Sequence, residues 1–142
     1  MTALLSTIFA TAILLWSLAA DSNEVAVRHL VGLDYPPIAA QAQLEGTVVL
    51  KCILGRDGRV QSTEVRSGHP VLSQAARENA SKWIFRMPFN VRPETRVFTL
   101  RYNFRLEGVC RAPNCTSSFS FDIPDSITVV TQARLWNPAG KR

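Results

Sequence analysis

The sequence predicts a small α+β fold, an antiparallel sheet with one helix packed on it. Three observations carry that expectation. Thr47 to Arg66 reads as two alternating runs joined at Gly55-Arg56-Asp57-Gly58, Leu72 to Trp83 places apolar residues at helical spacing, and Arg96 to Leu106 alternates without interruption.

The first run sends Val48, Leu50, Cys52 and Leu54 to one face and Val49, Lys51 and Ile53 to the other. Asp57-Gly58 is a hairpin signal because the tight turn needs a residue that tolerates positive φ. Val60 to Arg66 then returns antiparallel. Upstream, Pro36 and Pro37 stop any preceding helix and bias Tyr35 to an extended backbone. Ile38, Ala39 and Ala42 share a face at helical spacing, which predicts a short helix over Ile38 to Leu44 ended by Gly46.

Ser67-Gly68-His69-Pro70 breaks the second strand, and Pro70 suits the first turn of a helix. Leu72, Ala75, Ala76, Ala80 and Trp83 form the helical stripe, with alanines small enough to let the helix lie close to the sheet. Trp83 and Phe85 are expected to plug its far end, and Pro88 to terminate it. In the long strand, Phe98, Leu100, Tyr102, Phe104 and Leu106 make the core face, while Val97, Thr99, Arg101, Asn103 and Arg105 make a polar, basic one. Gly108 to Ser118 is a loop. Phe119, Phe121 and Ile123 alternate again, Pro124-Asp125-Ser126 turns the chain, and Ile127, Val129 and Thr131 return as the second arm of a C-terminal β-hairpin. The chain therefore divides into 1–20 (an apolar leader), 21–34 (a short lead-in), 35–108 (the α+β domain), 109–131 (loop and hairpin) and 132–142 (a tail).

A chain of 142 residues holds one domain with appendages, and a hydrophobic share of 46% is enough for a packed core rather than disorder. The formal net charge is +5, but Lys and Arg are scattered without a dense block, and a basic soluble surface is the simplest reading. Ala3 to Ala20 is interrupted only by Ser6, Thr7, Thr11 and Ser17 and has no charged side chain. It reads either as a secretory signal, cut near Ala19 or Ala20, or as an uncleaved membrane anchor at the lower limit of spanning length. Both readings export the rest of the chain, and for an exported chain nucleic acid is not an expected partner. In an oxidising compartment Cys110 and Cys115 can close a short loop, worth about 2 kcal/mol by chain entropy. Cys52 is left over as a buried thiol. With no Cys-x-x-Cys pair and no clustered His, neither a metal site nor a cofactor is expected.

Several residues invite sharper readings. His69 in its Gly-His-Pro turn lacks a nucleophile or metal partner nearby, so a structural role at the helix start outweighs catalysis. Cys52 could be drawn as a thiol nucleophile with His29 or His69, but a strand-core position exposes it poorly. Turn chemistry explains Asp57, and a core position explains Trp83. Lys51, Arg101 and Arg105 share an open sheet face whose simplest role is solvation; binding an acidic partner, anionic lipid or cell-wall polymer is the alternative.

Tyr35 to Leu106 resembles the C-terminal domain of the TonB family, periplasmic proteins that carry inner-membrane energy to outer-membrane transporters. The matching residues are Tyr35-Pro36, Ala39, Leu44-Glu45-Gly46, Val48, Asp57-Gly58-Arg59-Val60, Ser67-Gly68-His69-Pro70, Trp83-x-Phe85-x-x-Pro88 and the Phe-rich last strand. Phe119 to Val130 looks like an extension carried by some members. The resemblance implies a β-β-α-β unit whose first strand lies between the second and the last. It also implies that the last strand is an exposed edge to which an extended transporter peptide adds as an extra strand. Carried onto this chain, that edge is Arg96, Val97, Phe98, Thr99, Leu100, Arg101, Tyr102, Asn103, Phe104 and Arg105. Three departures stand out. Only about fifteen residues, spanning roughly 50 Å when extended, separate the apolar run from the domain, with no Pro-rich spacer. Leu33-Asp34 stands where well-known members have Gln-Pro. The C-terminal hairpin could itself pair with the last strand.

The expected function is therefore non-enzymatic: an exported TonB-like protein-interaction domain with a protein partner at the envelope, such as an outer-membrane TonB-dependent transporter. Membrane contact is expected only through residues 1–20, and strand exchange between copies is a further route open to a free edge. The rivals are an envelope-binding module using the basic face and a small exported thiol enzyme.

Overall fold

The computed structural model describes residues 25–87, 96–111, 115–122 and 125–134. The apolar leader 1–20, Pro88, Ile123 and the chain beyond 134 lie outside them. In chain order the elements are β1 (Ala26–His29), α1 (Pro37–Gln41), β2 (Gly46–Leu54), β3 (Val60–Ser67), α2 (Pro70–Ala80), β4 (Ile84–Arg86), β5 (Arg96–Cys110), β6 (Ser117–Asp122) and β7 (Ser126–Arg134). The result is a mixed, sheet-rich architecture with two helices, compatible with the α+β class.

The principal sheet has five strands in the order β3-β2-β5-β7-β6. The β2–β3 hairpin forms where the alternation predicts it, and β2 pairs antiparallel with β5 from Gly46↔Phe104 to Leu54↔Arg96. Val48, Leu50, Cys52 and Leu54 are fully buried, as are Leu100 and Tyr102 opposite them, so the alternation in the sequence is the alternation of the pleat. α2 covers this face with Leu72, Ala76 and Ala80. His69 caps its start, Nδ1 accepting from Val71 N at 3.3 Å, and Pro70 opens the first turn.

Three local expectations are corrected. α1 ends at Gln41, and Gln43 takes a left-handed φ of 52°, so the turn out of the helix comes before Gly46, which instead opens β2. Trp83-Ile84-Phe85 does not extend α2. The helix stops at Ala80, and Ile84–Arg86 forms a short strand paired with β1 in a separate two-stranded sheet. The lead-in is thereby an integral part of the packing. Its anchor is Asn79, whose Nδ2 donates to Val31 O (2.9 Å) and Gly32 O (3.0 Å), while its Oδ1 accepts from Trp83 Nε1 (3.0 Å) and from the Tyr102 hydroxyl (2.9 Å).

The third correction concerns the sheet itself, which is mixed rather than antiparallel. β7 lies between β5 and β6, parallel to β5 and antiparallel to β6. After β5 the chain crosses two strand spacings, roughly 10 Å, to lay down β6, and then turns back to fill the slot it has skipped. Cys110 and Cys115 are disulfide-bonded at the base of this crossing, with Cα atoms 5.4 Å apart. A bulge between Leu106 and Val109, where Gly108 has φ 76°, lets β5 bend into the crossing.

Candidate functional site

The family resemblance places the docking site on β5. Arg101, Tyr102, Asn103, Phe104 and Arg105 are not an edge. They pair with β2 through Arg101↔Val49 to Phe104↔Gly46, and with β7 through Arg101↔Ser126 to Arg105↔Val130. Arg101 N also donates to Asp125 O at 2.9 Å. Arg96, Val97, Phe98, Thr99 and Leu100 pair with β2, and no partner strand lies on their other side among the described residues. The expectation of a peptide-binding edge along the whole of β5 is therefore corrected for Arg101 to Arg105, which the hairpin extension covers, while the outer side of Val97 to Leu100 is left without a partner strand among the described residues.

That occupation is part of the core. Ile127 and Val129 of β7 are fully buried, and Phe121 of β6 stands edge-on to Trp83 at 5.4 Å. Burying side chains of this kind stabilises a fold by about 2 kcal/mol each. Lifting the hairpin off β5 would expose them together and break a whole ladder of backbone hydrogen bonds.

The other motif residues serve the scaffold. Tyr35 is buried edge-on against Phe104 at 5.4 Å and donates its hydroxyl to Leu44 O. Pro36 O accepts from Ala40 N at 3.0 Å as the cap of α1. The carboxylate of Glu45, next to Gly46, accepts from Leu106 N at 2.6 Å and ties the start of β2 to β5. Asp57 Oδ1 accepts from Arg59 N at 3.1 Å in the hairpin turn. Gly58, at φ 77°, passes so close to β4 that a Cβ there would meet Phe85 O at 1.8 Å. Trp83 and Phe85 are both core residues.

The residues weighed for chemistry are not brought together. Cys52 is fully buried on β2, and burial pushes its thiol up to about 11. His69 uses Nδ1 as a helix cap. Among the described residues, no three His, Cys, Asp or Glu side chains cluster as metal ligands would. Lys51, Arg101 and Arg105 do share the open face by register. Glu64 on the neighbouring strand lies 3.8 Å from Lys51 Nζ and 3.0 Å from Arg66 Nη1, which dilutes the basic character of that face.

The open edges of the five-stranded sheet among the described residues are β3, β6 and the outer side of Val97–Leu100 on β5, which β7 does not reach. β3 has an open groove beside it, between Thr63 and Val65 on the strand and Ser73, Gln74, Arg77 and Glu78 on α2, with a volume of about 770 Å³. The sequence does contain a signal for the Asn79 network that periodicity alone passed over. Leu72, Ala76, Asn79 and Trp83 lie on one helical stripe, so an amide stands in an apolar row. Nothing in the sequence marks the groove, because it exists only where the helix leaves the strand edge uncovered.

The described elements make up a small sheet-rich domain with open strand edges, in which the residues weighed for chemistry are not brought together. A family model described as the Gram-negative bacterial TonB protein C-terminal matches residues 31–106. That match covers more than half of the chain, and the chain belongs to the TonB C-terminal family. It is a TonB-like protein-interaction domain of the Gram-negative envelope. No match was found among curated proteins.

Proposed function

We propose that this chain is exported to the periplasm and acts there, without catalysing a reaction, by taking an extended segment of an envelope protein onto a free edge of its sheet, in the service of TonB-dependent transport. The observation that carries the reading is the survival of open edges, on β3, on β6 and on the outer side of Val97–Leu100, in a family domain whose expected edge is filled by its own hairpin along Arg101–Leu106. Unpaired backbone N–H and C=O groups along such an edge supply affinity, and alternate side chains supply selectivity. The absence of catalysis is supported by the burial of Cys52 and by the capping role of His69.

The test is photo-crosslinking in a Gram-negative host from the full chain, with the reactive group placed in turn at Ser62 on β3, Ser120 on β6 and Asn103 on β5. The expected result is an adduct with an outer-membrane transporter from one of the two edges and none from Asn103. Adducts from neither edge, with transport unaffected by deletion of the chain, would sink the reading.

A further inference from the structure

We propose that β6 is a self-association edge: two copies of this chain pair their β6 strands antiparallel about a two-fold axis at Ser120, joining two sheets into one. The inference goes beyond the strand-addition reading. It uses a segment outside the family match at residues 31–106 and leaves the other open edges to an envelope partner.

The open edges are not equally guarded. Proteins blunt strand edges with charge, bulges, proline or cover. β3 carries Glu64 and Arg66, shifts register twice against β2, and has its approach bridged at Arg59 by Ile84 of β4. The open side of Val97–Leu100 is short and is bounded by Arg96 and Arg101. β6 has none of these devices. Its six residues, Ser117–Asp122, pair with β7 without a register shift and contain no Pro, Lys or Arg; the one charge is Asp122, at the end. No strand lies on its outer side among the described residues.

The order of side chains picks the occupant. Phe119 and Phe121 stand opposite Val129 and Ile127 and share the core face, whereas Ser118 and Ser120 stand opposite Val130 and Thr128 on the other face. Phe119-Ser120-Phe121 reads the same in both directions. A two-fold axis perpendicular to the sheet at Ser120 therefore sets Phe119 opposite the partner's Phe121, Phe121 opposite the partner's Phe119, and the two Ser120 side chains opposite each other. Core face meets core face, as a shared pleat requires, and both half-buried rings gain an aromatic neighbour. An axis at Phe119 would instead put Phe121 opposite a serine. An axis between two residues would set core-face side chains against outer-face ones.

Charge agrees with a second copy. The chain carries a formal +5, so two copies repel where their basic residues approach, and β6 has no basic residue. The contact also closes on itself. Once β6 is paired, the edges left on the joined sheet are the guarded ones, and growth stops at two. An isologous contact of six residues a side falls below the roughly 1,200 Å² of a stable interface, which makes the dimer transient and concentration-dependent.

The test is sedimentation of the full chain from micromolar to submillimolar concentration, with amide shifts followed in an isotope-labelled sample over the same range. The expected result is a reversible monomer–dimer equilibrium with concentration-dependent shifts centred on Ser117–Asp122. Ser120→Lys and Ser120→Glu each place like charges opposite one another across the axis and weaken the dimer by about fivefold or more. Mixed in equal amounts, the two variants pair again, because Lys then faces Glu. Ser120 is exposed, so neither variant shifts the melting temperature of the monomer. Ser62→Lys on β3 leaves the equilibrium unchanged. A chain that stays monomeric throughout the range would overturn the proposal. So would a dimer indifferent to Ser120→Lys, a dimer broken by Ser62→Lys, or a mixture of the two variants that fails to pair. A transporter segment captured at Ser120 in place of a second copy would overturn it as well. None of these outcomes decides strand addition at β3, which crosslinking from Ser62 reads separately.

Discussion

The hydroxyl of Tyr102, at the centre of β5, donates to Asn79 Oδ1 on α2 at 2.9 Å. Through the same side chain it is linked to the indole of Trp83 and to the backbone of Val31 and Gly32. One amide thus fastens helix, sheet and lead-in inside the core. Asn79→Ala would leave the Tyr102 hydroxyl and the Gly32 carbonyl short of partners, while Val31 O keeps the Trp83 indole N–H at 3.2 Å. We expect a loss of about 2–4 kcal/mol in urea unfolding, against about 1 kcal/mol for Tyr102→Phe, which removes a donor but leaves Asn79 its other partners.

The contact between Gly58 and Phe85 sets a second expectation. Phe85 N donates to Gly58 O at 2.8 Å, and the glycine backbone at φ 77° lies directly against β4. Gly58→Ala combines an unfavourable backbone region with a steric clash against the main chain, which cannot rotate away. The variant should lose at least about 2 kcal/mol in equilibrium unfolding, and the β1–β4 pair should exchange its amides sooner than β2 does.

Ionisation of buried groups makes the domain sensitive to alkali. Burial raises the Cys52 thiol from 9.0 to about 11. Tyr35 rises from 10.0 to about 12, first by burial and then by the charge of Glu45. Tyr102 is raised further still, first by burial and then by Cys52. In each case the fold favours the protonated form. Their contribution is therefore complete below the unfolded values and is lost as pH climbs through the folded ones. Stability should be level up to about pH 9 and fall between pH 9 and 12, with Cys52→Ala delaying the start of the fall toward pH 10. The same burial makes Cys52 inert to a thiol reagent in the native chain, with full reaction only in denaturant. Rapid native-state labelling would contradict its placement.

The disulfide should matter most to the hairpin. It closes the crossing from β5 to β6, and β7 reaches its slot only after that crossing is made. Replacing Cys110 and Cys115 by serine should lower stability by about 2 kcal/mol. Amide exchange should then quicken in β6 and β7 before β2. In the intact chain, amides of Arg101–Phe104 should be among the slowest to exchange, since both flanks of that segment are paired.

Much of the fold is legible in local pattern. The strict alternation of β2 and β5 appears directly as their buried and exposed faces, and His69-Pro70 marks the start of α2. Short elements were less so. Ile84–Arg86 has the composition of a helix end or of a strand, and only its pairing with Ala26–His29 decides between them. How far the edge of β5 stays open is hidden for a related reason. Alternation tells which face of Phe98–Leu106 is buried, but it carries no information about which strand lies beside it.

The amino-acid order alone settled the pleat of each long strand, the turn at Asp57-Gly58, the helix over the sheet and the family they announce, because these depend on neighbours within a few residues. Folding in three dimensions decided the sheet order, since a hairpin formed by residues 117–134 can sit outside β5 or insert one arm against it at equal local cost. Burial of Ile127 and Val129 under the helix layer selects insertion. That choice covers Arg101–Leu106 of β5 and leaves β3, β6 and the outer side of Val97–Leu100 as open edges among the described residues.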